Sequence, residues 1–406
     1  MNNNLSVRYK YLLVGVIAML FAGVLYAWSI LKSPLATEFG FGASSLAFNF
    51  TLAMSFFCIG GLLGARISKK KGHKIALFIS GILSALGFIL TSLLVNSSVI
   101  LLYITYGILA GLGIGIAYNV VIATVSAWFP DKKGICSGCL MMGFGASALI
   151  LGNTANAMFE STIGWRMTYV ILGVAIFIVI FVSGLILKIP DKDIVFPNSK
   201  MTKVKNSENA QSLTSKQMLC TSSFWFAFIL ISFLAAVGSS VISFAKDLAL
   251  SVNAPQSLAV SLVGVLSVCN GLGRIITGLI FDSIGCKKTM ICANILTIFA
   301  ALITLISVSI SSLPLCILGL CITGISYGTC PTITAAFTSM YFGMKHFSSN
   351  MAIMTFTVMG GSLIASVSNA LYEATGVYTS VFVMLLSLSA VALILNFFIR
   401  NKYPPA

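Results

Sequence analysis

Acidic residues are nearly missing from this chain: 9 Asp and Glu stand against 24 Lys and Arg in 406 residues, with 2 histidines. Charged residues make up 8% of the sequence, where a soluble globular protein carries about 25%. A surface so poor in charge cannot face water, so lipid must solvate most of the chain. The shortage of His, Asp and Glu also removes the usual metal ligands and acid–base groups. No nucleophile with a base beside it can be drawn inside the apolar runs, so neither an enzyme nor a metal or other cofactor is expected. The ten cysteines fall mostly inside apolar runs, as Cys58, Cys269, Cys292, Cys316, Cys321 and Cys330 do, which is not the pattern of a disulfide framework. Cys136-Ser-Gly-Cys139 has CxxC spacing without a second pair or a histidine nearby, and reads as small packing residues.

What the chain has instead is apolar length. Hydrophobic residues make up 58% of it and the mean hydropathy is +1.03. About twenty apolar residues cross a bilayer as a helix, and only helices or closed barrels satisfy every backbone group in lipid. The runs here are long and do not alternate, which favours helices. Twelve spans are expected: 11–31, 44–66, 75–95, 99–128, 134–158 and 166–189, then 218–246, 256–281, 289–310, 313–341, 347–371 and 376–400. The first is too long for a signal-peptide core and no cleavage pattern follows it, so it reads as an uncleaved span. Pro190 to Lys216 is the one polar stretch of any length and reads as a linker. The expected organisation is an all-α integral membrane protein of two pseudo-symmetric six-helix halves: residues 1–189, a linker over 190–217, and residues 218–406.

Lysine and arginine collect on the cytoplasmic side of membrane proteins. With the N-terminus inside, twenty of the 24 fall in cytoplasmic segments, while Lys32, Arg166 and Lys246 fall outside. Both termini are therefore expected in the cytoplasm. The same bias explains the net charge of +15 without a nucleic-acid partner; the lipid bilayer is the partner required. Targeting and glycosylation logic is absent apart from a chance-like sequon at Asn96, so a bacterial plasma membrane is expected. No oligomeric signal is visible, and a monomer is the expected working unit.

The halves repeat. Ala65-Arg-Ile-Ser-Lys69-Lys-Lys-Gly72-His73-Lys74 aligns position by position with Gly278-Leu-Ile-Phe-Asp282-Ser-Ile-Gly285-Cys286-Lys287 at an offset of 213 residues. Trp128-Phe129 and Tyr341-Phe342 share that offset, and Tyr118 and Tyr327 stand 209 apart. Parallel six-helix repeats around a central site are a transporter plan. The segment from Gly278 to Lys287 resembles the loop motif of the major facilitator superfamily, G-x-L-x-D-R-x-G-R-R. The resemblance implies that Asp282 braces neighbouring helix ends in an outward-open state, with Gly278 and Gly285 as motif glycines. Gly72 matches in the first half, but Lys69 stands where the acid belongs.

Three further stretches resemble the oxalate/formate antiporter family: Gly23-Val-Leu-Tyr26-Ala-Trp28-Ser29, Gly111 to Tyr118 running on to Gly134, and Asn270-Gly-Leu-Gly-Arg274. The plan is also similar to that of the monocarboxylate transporters, which carry an arginine in the eighth span. Every acid can be placed outside the apolar runs, so Arg274 is the only charge expected within a span. A central arginine costs about 2.5–3.5 kcal/mol on insertion scales. Asp282 is eight residues away, about 12 Å along the axis, too far for an easy pair. A trapped guanidinium facing a cavity suits a carboxylate, and Asn270 lies at i−4 on the same helix face. The alternative is an arginine tied to the carbonyls of a neighbouring helix.

By resemblance, the oxalate carriers share their dianion between this arginine and a lysine of the eleventh span. Met359 stands at that position, and the span has no lysine. One cation balances a monoanion, so a small monocarboxylate such as formate, lactate or pyruvate is expected, and oxalate is disfavoured by the cost of burying excess charge. Tyr118, Asn119, Tyr327, Tyr26 and Trp28 resemble pocket-lining positions of the same carriers. Arg166 is expected to pair with Glu160 at the outer surface. Without an acid in a span there is no evident proton carrier, which favours exchange; proton symport, a dicarboxylate antiporter, multidrug efflux and a non-transporting receptor are the alternatives.

Overall fold

Long apolar runs must close their own backbone hydrogen bonds, and the computed structural model does so with helices alone. It describes residues 3–95, 98–129, 133–190, 213–343 and 346–399, and no strand occurs among them. Eleven helices are long and apolar enough to cross a membrane: Val7–Phe39, Ala43–Lys71, His73–Ser92, Val99–Ser126, Gly138–Glu160, Gly164–Ile186, Ser222–Ser251, Gln256–Phe281, Cys286–Ser309, Leu313–Phe342 and Tyr378–Phe398. In the place of the expected eleventh span stands a broken helix, Phe347–Met354 and Thr357–Thr375, with a turn at Thr355 and Phe356. Ser362, Ser366, Ser368 and Asn369 place polar groups along its longer part. Counting the broken helix as the eleventh, the helices are called first to twelfth below. Most of the linker, residues 191–212, lies outside the described residues. The chain resumes at Leu213, whose amide bonds the Phe342 carbonyl at 3.0 Å, and enters the short helix Ser215–Leu219 through a Thr214–Gln217 capping box.

Packing repeats between the halves in one register. A Cβ at Gly60 would strike the Leu112 carbonyl, one at Gly111 the Ala53 carbonyl, and one at Gly115 the Phe57 carbonyl. Gly273 meets Ile325, Gly324 meets Leu266 and Gly328 meets Asn270 in the same way. Each contact of the first set maps onto the second at an offset of 213. The second helix thus crosses the fourth as the eighth crosses the tenth, with backbones in contact where small residues allow it. Gly72 and Gly285, also 213 apart, both end helices with positive φ, +90° and +79°, a conformation that glycine adopts without strain. In this register Tyr118 corresponds to Pro331, not to Tyr327, so the echo at 209 is not one of structure.

One end of the bundle is closed. In the first helix every residue from Gly23 to Lys32 is buried, and in the seventh every residue from Leu234 to Lys246. These stretches belong to opposite halves and meet at Lys32 and Asp247. Toward the end that carries the described chain termini, Tyr118, Asn119, Arg274 and Thr332 are partly exposed. The interior is therefore reached from that end and sealed at the other.

Candidate functional site

Arg274 sits where the eighth helix crosses the tenth. A Cβ at Gly328 would lie 3.0 Å from the Arg274 amide nitrogen, so a glycine is required there for the helices to approach. Thr332 Oγ1 donates to the Arg274 carbonyl at 3.4 Å. Pro331 lies inside the tenth helix and removes the hydrogen bond that would reach the Tyr327 carbonyl. The guanidinium leaves its own half. Nη1 donates to the Tyr118 hydroxyl at 3.1 Å and to Met141 Sδ, on the fourth and fifth helices. The Tyr118 hydroxyl donates to the same sulfur at 3.4 Å. Both bonds use Nη1; Nε and Nη2 have no protein acceptor among the described residues, and no carboxylate touches the side chain.

Aromatic rings wall this point. Tyr26 is placed by a 3-10 turn, Gly23–Ala27, inside the first helix. Its ring lies 6.2 Å from that of Tyr327 and 5.0 Å from that of Phe144. Tyr118 contacts Phe57 at 4.9 Å and Phe144 at 5.2 Å. Ser239 Oγ donates to the Tyr327 hydroxyl at 3.5 Å. Asn270 is 1% exposed and its Oδ1 has no partner, although Tyr26 faces it. The structure therefore brings Arg274, Asn270, Tyr26, Tyr118 and Tyr327 together from both halves. Asn119 lies on the partly exposed face of the fourth helix, against Gly61.

Other expected residues stand apart. Trp28 is fully buried, with its indole on the Leu46 carbonyl at 3.1 Å and its ring 4.5 Å from that of Tyr106; it packs the first half internally. Met359 is partly exposed on the eleventh helix, its carbonyl accepting from Ser362 at 2.9 Å, with no described contact to Arg274. Lys69 is exposed near the end of the second helix, and Gly278 has open space around it. Asp282 lies in the last turn of the eighth helix, and its side chain is outside the described residues.

Two expectations are corrected. Arg274 is not the only charge within a helix: Lys32, Lys246 and Asp247 lie inside the first and seventh helices, which run on to Phe39 and Ser251 where the expected spans stopped at 31 and 246. Arg166 pairs with Glu38 at 2.6 Å and caps the Ser92 and Leu94 carbonyls, while Glu160 takes Asn156. Sequence reasoning also missed Met141, Phe57, Phe144 and Thr332. An apolar residue facing the interior looks the same in a sequence as one facing lipid, so only their spacing from Tyr118 and Arg274 in three dimensions identifies them.

A fixed cation with two idle donors, beside tyrosine hydroxyls and aromatic walls, is suited to one planar anion. The model of the Major Facilitator Superfamily matches residues 11–266 and 228–406. The oxalate:formate antiporter of Oxalobacter formigenes is 27% identical over 380 residues, 89% of this chain and 85% of that protein. Human monocarboxylate transporter 12 is 26% identical over 347 residues, 79% of this chain and 66% of that protein. A bacterial homolog of the human lysosomal transporter Spinster, solved inward-facing and unoccupied, shares the fold with a TM-score of 0.72 at 14% identity, covering 98% of this chain and 99% of that one. With the helical architecture and a family match across nearly its whole length, the chain belongs to the Major Facilitator Superfamily: it is a multi-pass membrane transporter and not an enzyme.

Proposed function

We propose that this transporter exchanges small monocarboxylates, such as formate, lactate or pyruvate, by alternating access, with Arg274 holding the carboxylate. The observation that carries this reading is a guanidinium inside the bundle that, among the described residues, joins the two halves through the neutral groups Tyr118 and Met141. A charge of that kind is costly in a membrane, and an incoming carboxylate supplies the missing counter-ion with two parallel hydrogen bonds. Asn270, Tyr26, Tyr118 and Tyr327 orient it, and Asn119 lines the approach. One cation balances one negative charge; a dicarboxylate would bring an unpaired charge into the same site, because Met359 stands where the family resemblance puts a lysine. The names of the two relatives support the same ligand class.

Exchange follows from the same charge. An empty carrier would have to carry Arg274 uncompensated through an occluded state, so reorientation is fast only when loaded. Asp282, Gly278 and Gly285, with Lys69 and Gly72 in the first half, form the loops that brace the helix ends. The termini lie in the cytoplasm of a bacterial cell, the carrier works as a monomer in the plasma membrane, and nucleic acid plays no part. The test is uptake of labelled formate, lactate, pyruvate and oxalate into liposomes, with and without internal counter-substrate, beside Arg274→Ala. Monocarboxylate uptake that requires preloading and Arg274 is expected. Equal uptake into empty liposomes would sink exchange, and a requirement for a pH gradient would make the carrier a proton symporter. Preference for oxalate would overturn the charge argument.

A further inference from the structure

The sealed end holds two buried lysines beside Asp247, whose side chain is 41% exposed. Lys32 and Lys246 are 6% and 5% exposed. Lys32 Nζ meets Asp247 Oδ2 at 2.7 Å. Lys246 Nζ donates to Ser33 Oγ at 3.2 Å, and its neighbouring carboxylates are Asp247 and Glu160. Lys32 and Ser33 belong to the first helix, Lys246 and Asp247 to the seventh, so both contacts join the halves. The seventh helix kinks at Phe244, two residues before Lys246, where φ is −134°. Lys32 is six residues past Tyr26, about 9 Å at the helical rise, on the sealed side of the Arg274 layer.

A carrier that opens this end must part the first and seventh helices. Lys246 then keeps Asp247 as its chain neighbour. Lys32 loses its contact; in its own half Glu38 is held by Trp165 and Arg166, while Glu160 takes a bond from the neutral Asn156 and faces Lys246. A partly desolvated ammonium without a counter-ion is costly, so the opened mouth exposes a cation in want of a carboxylate. The Asp247 side chain ends in the same functional group as a small monocarboxylate.

We propose that Lys32 is a second carboxylate-binding site, and that Asp247 fills it in the sealed state as a tethered stand-in for substrate. Substrate arriving at the opened face takes the place on Lys32 that Asp247 has left. Reclosure returns Asp247 to Lys32 and sends the substrate inward toward Arg274. The inference rests on the carboxylate reading above.

The test compares KM for labelled formate at each face, using right-side-out and inside-out vesicles preloaded with formate. Asp247→Asn leaves Lys32 charged and without its competitor, so KM at the Lys32 face falls severalfold. Lys32→Met removes the cation, so KM at that face rises about tenfold. An ion pair serving only as a latch behaves otherwise: both substitutions cut the same bond, favour the same opening and move KM in the same direction. Shifts of opposite sign support the site; shifts of one sign, or none, overturn it. Where either variant fails to fold by fluorescence-detected gel filtration, Asp247→Ser and Lys32→Gln replace them with the same expected signs. Wild-type uptake that depends on Arg274 is the control. Its absence removes the carboxylate reading itself, whereas its presence with paired variants moving together removes only the Lys32 site.

Discussion

Arg274→Gln removes one charge and keeps a similar reach, which makes it the sharpest perturbation of the proposed site. A guanidinium and a carboxylate about 4 Å apart attract by about 4 kcal/mol at an effective dielectric near 20. Hydrogen bonds from the glutamine amide return about 1 kcal/mol. The net loss of about 3 kcal/mol corresponds to roughly a hundredfold weaker binding. Arg274→Lys restores the charge but not the planar fork, so about tenfold is expected. The assay is counterflow of labelled formate in proteoliposomes, with KM read for each variant after gel filtration confirms a folded monodisperse carrier. That control is needed because Arg274 bridges the halves through Tyr118 and Met141. The order wild type, Lys, Gln is the signature of a charge that binds substrate. A Gln variant within threefold of wild type would refute the reasoning, since a purely structural arginine tied to Tyr118 predicts no ordered loss of affinity.

Three other outcomes follow from the geometry. Asn270→Asp places a carboxylate one helical turn from Arg274, where the Asn270 amide oxygen has no partner; it competes with substrate, so formate KM should rise at least tenfold and uptake should become dependent on an inward proton gradient, both read in the same liposomes. Met359→Lys supplies a second cation on the partly exposed face of the eleventh helix, and should raise oxalate uptake relative to formate several-fold; an unchanged ratio would mean that this position does not reach the anion. Gly328→Ala drives a methyl group against the Asn270 carbonyl and should cost about 1–3 kcal/mol of stability, lowering the thermal midpoint of the purified carrier, whereas Gly278→Ala, with nothing near it, should leave the midpoint unchanged.

Much of the architecture was legible because hydropathy is a local property. The near absence of acids, the apolar runs and the offset of 213 between loop motifs were enough for two helical halves in lipid, and the glycine contacts obey the same register. Arg274 was legible too, since a permanent charge in an apolar run stands out without any coordinates. What failed did so for physical reasons. Helix ends were drawn where hydropathy fell, but the first and seventh helices continue beyond those points, where Lys32 meets Asp247 and Lys246 meets Ser33 across the interface. The eleventh helix breaks at a turn that no proline or charge announces.

By itself, then, the sequence determined the solvent of the chain, the class of its elements, their repetition and the position of one trapped cation, because each follows from composition along a single strand. Only the tertiary structure decided which end is sealed, which rings surround Arg274 and which ions meet. Those depend on pairs far apart in the chain, Arg274 with Tyr118 at a separation of 156 residues and Lys246 with Ser33 at 213, and on which face of each helix turns inward. An apolar side chain carries no mark of that face until its neighbours are packed against it.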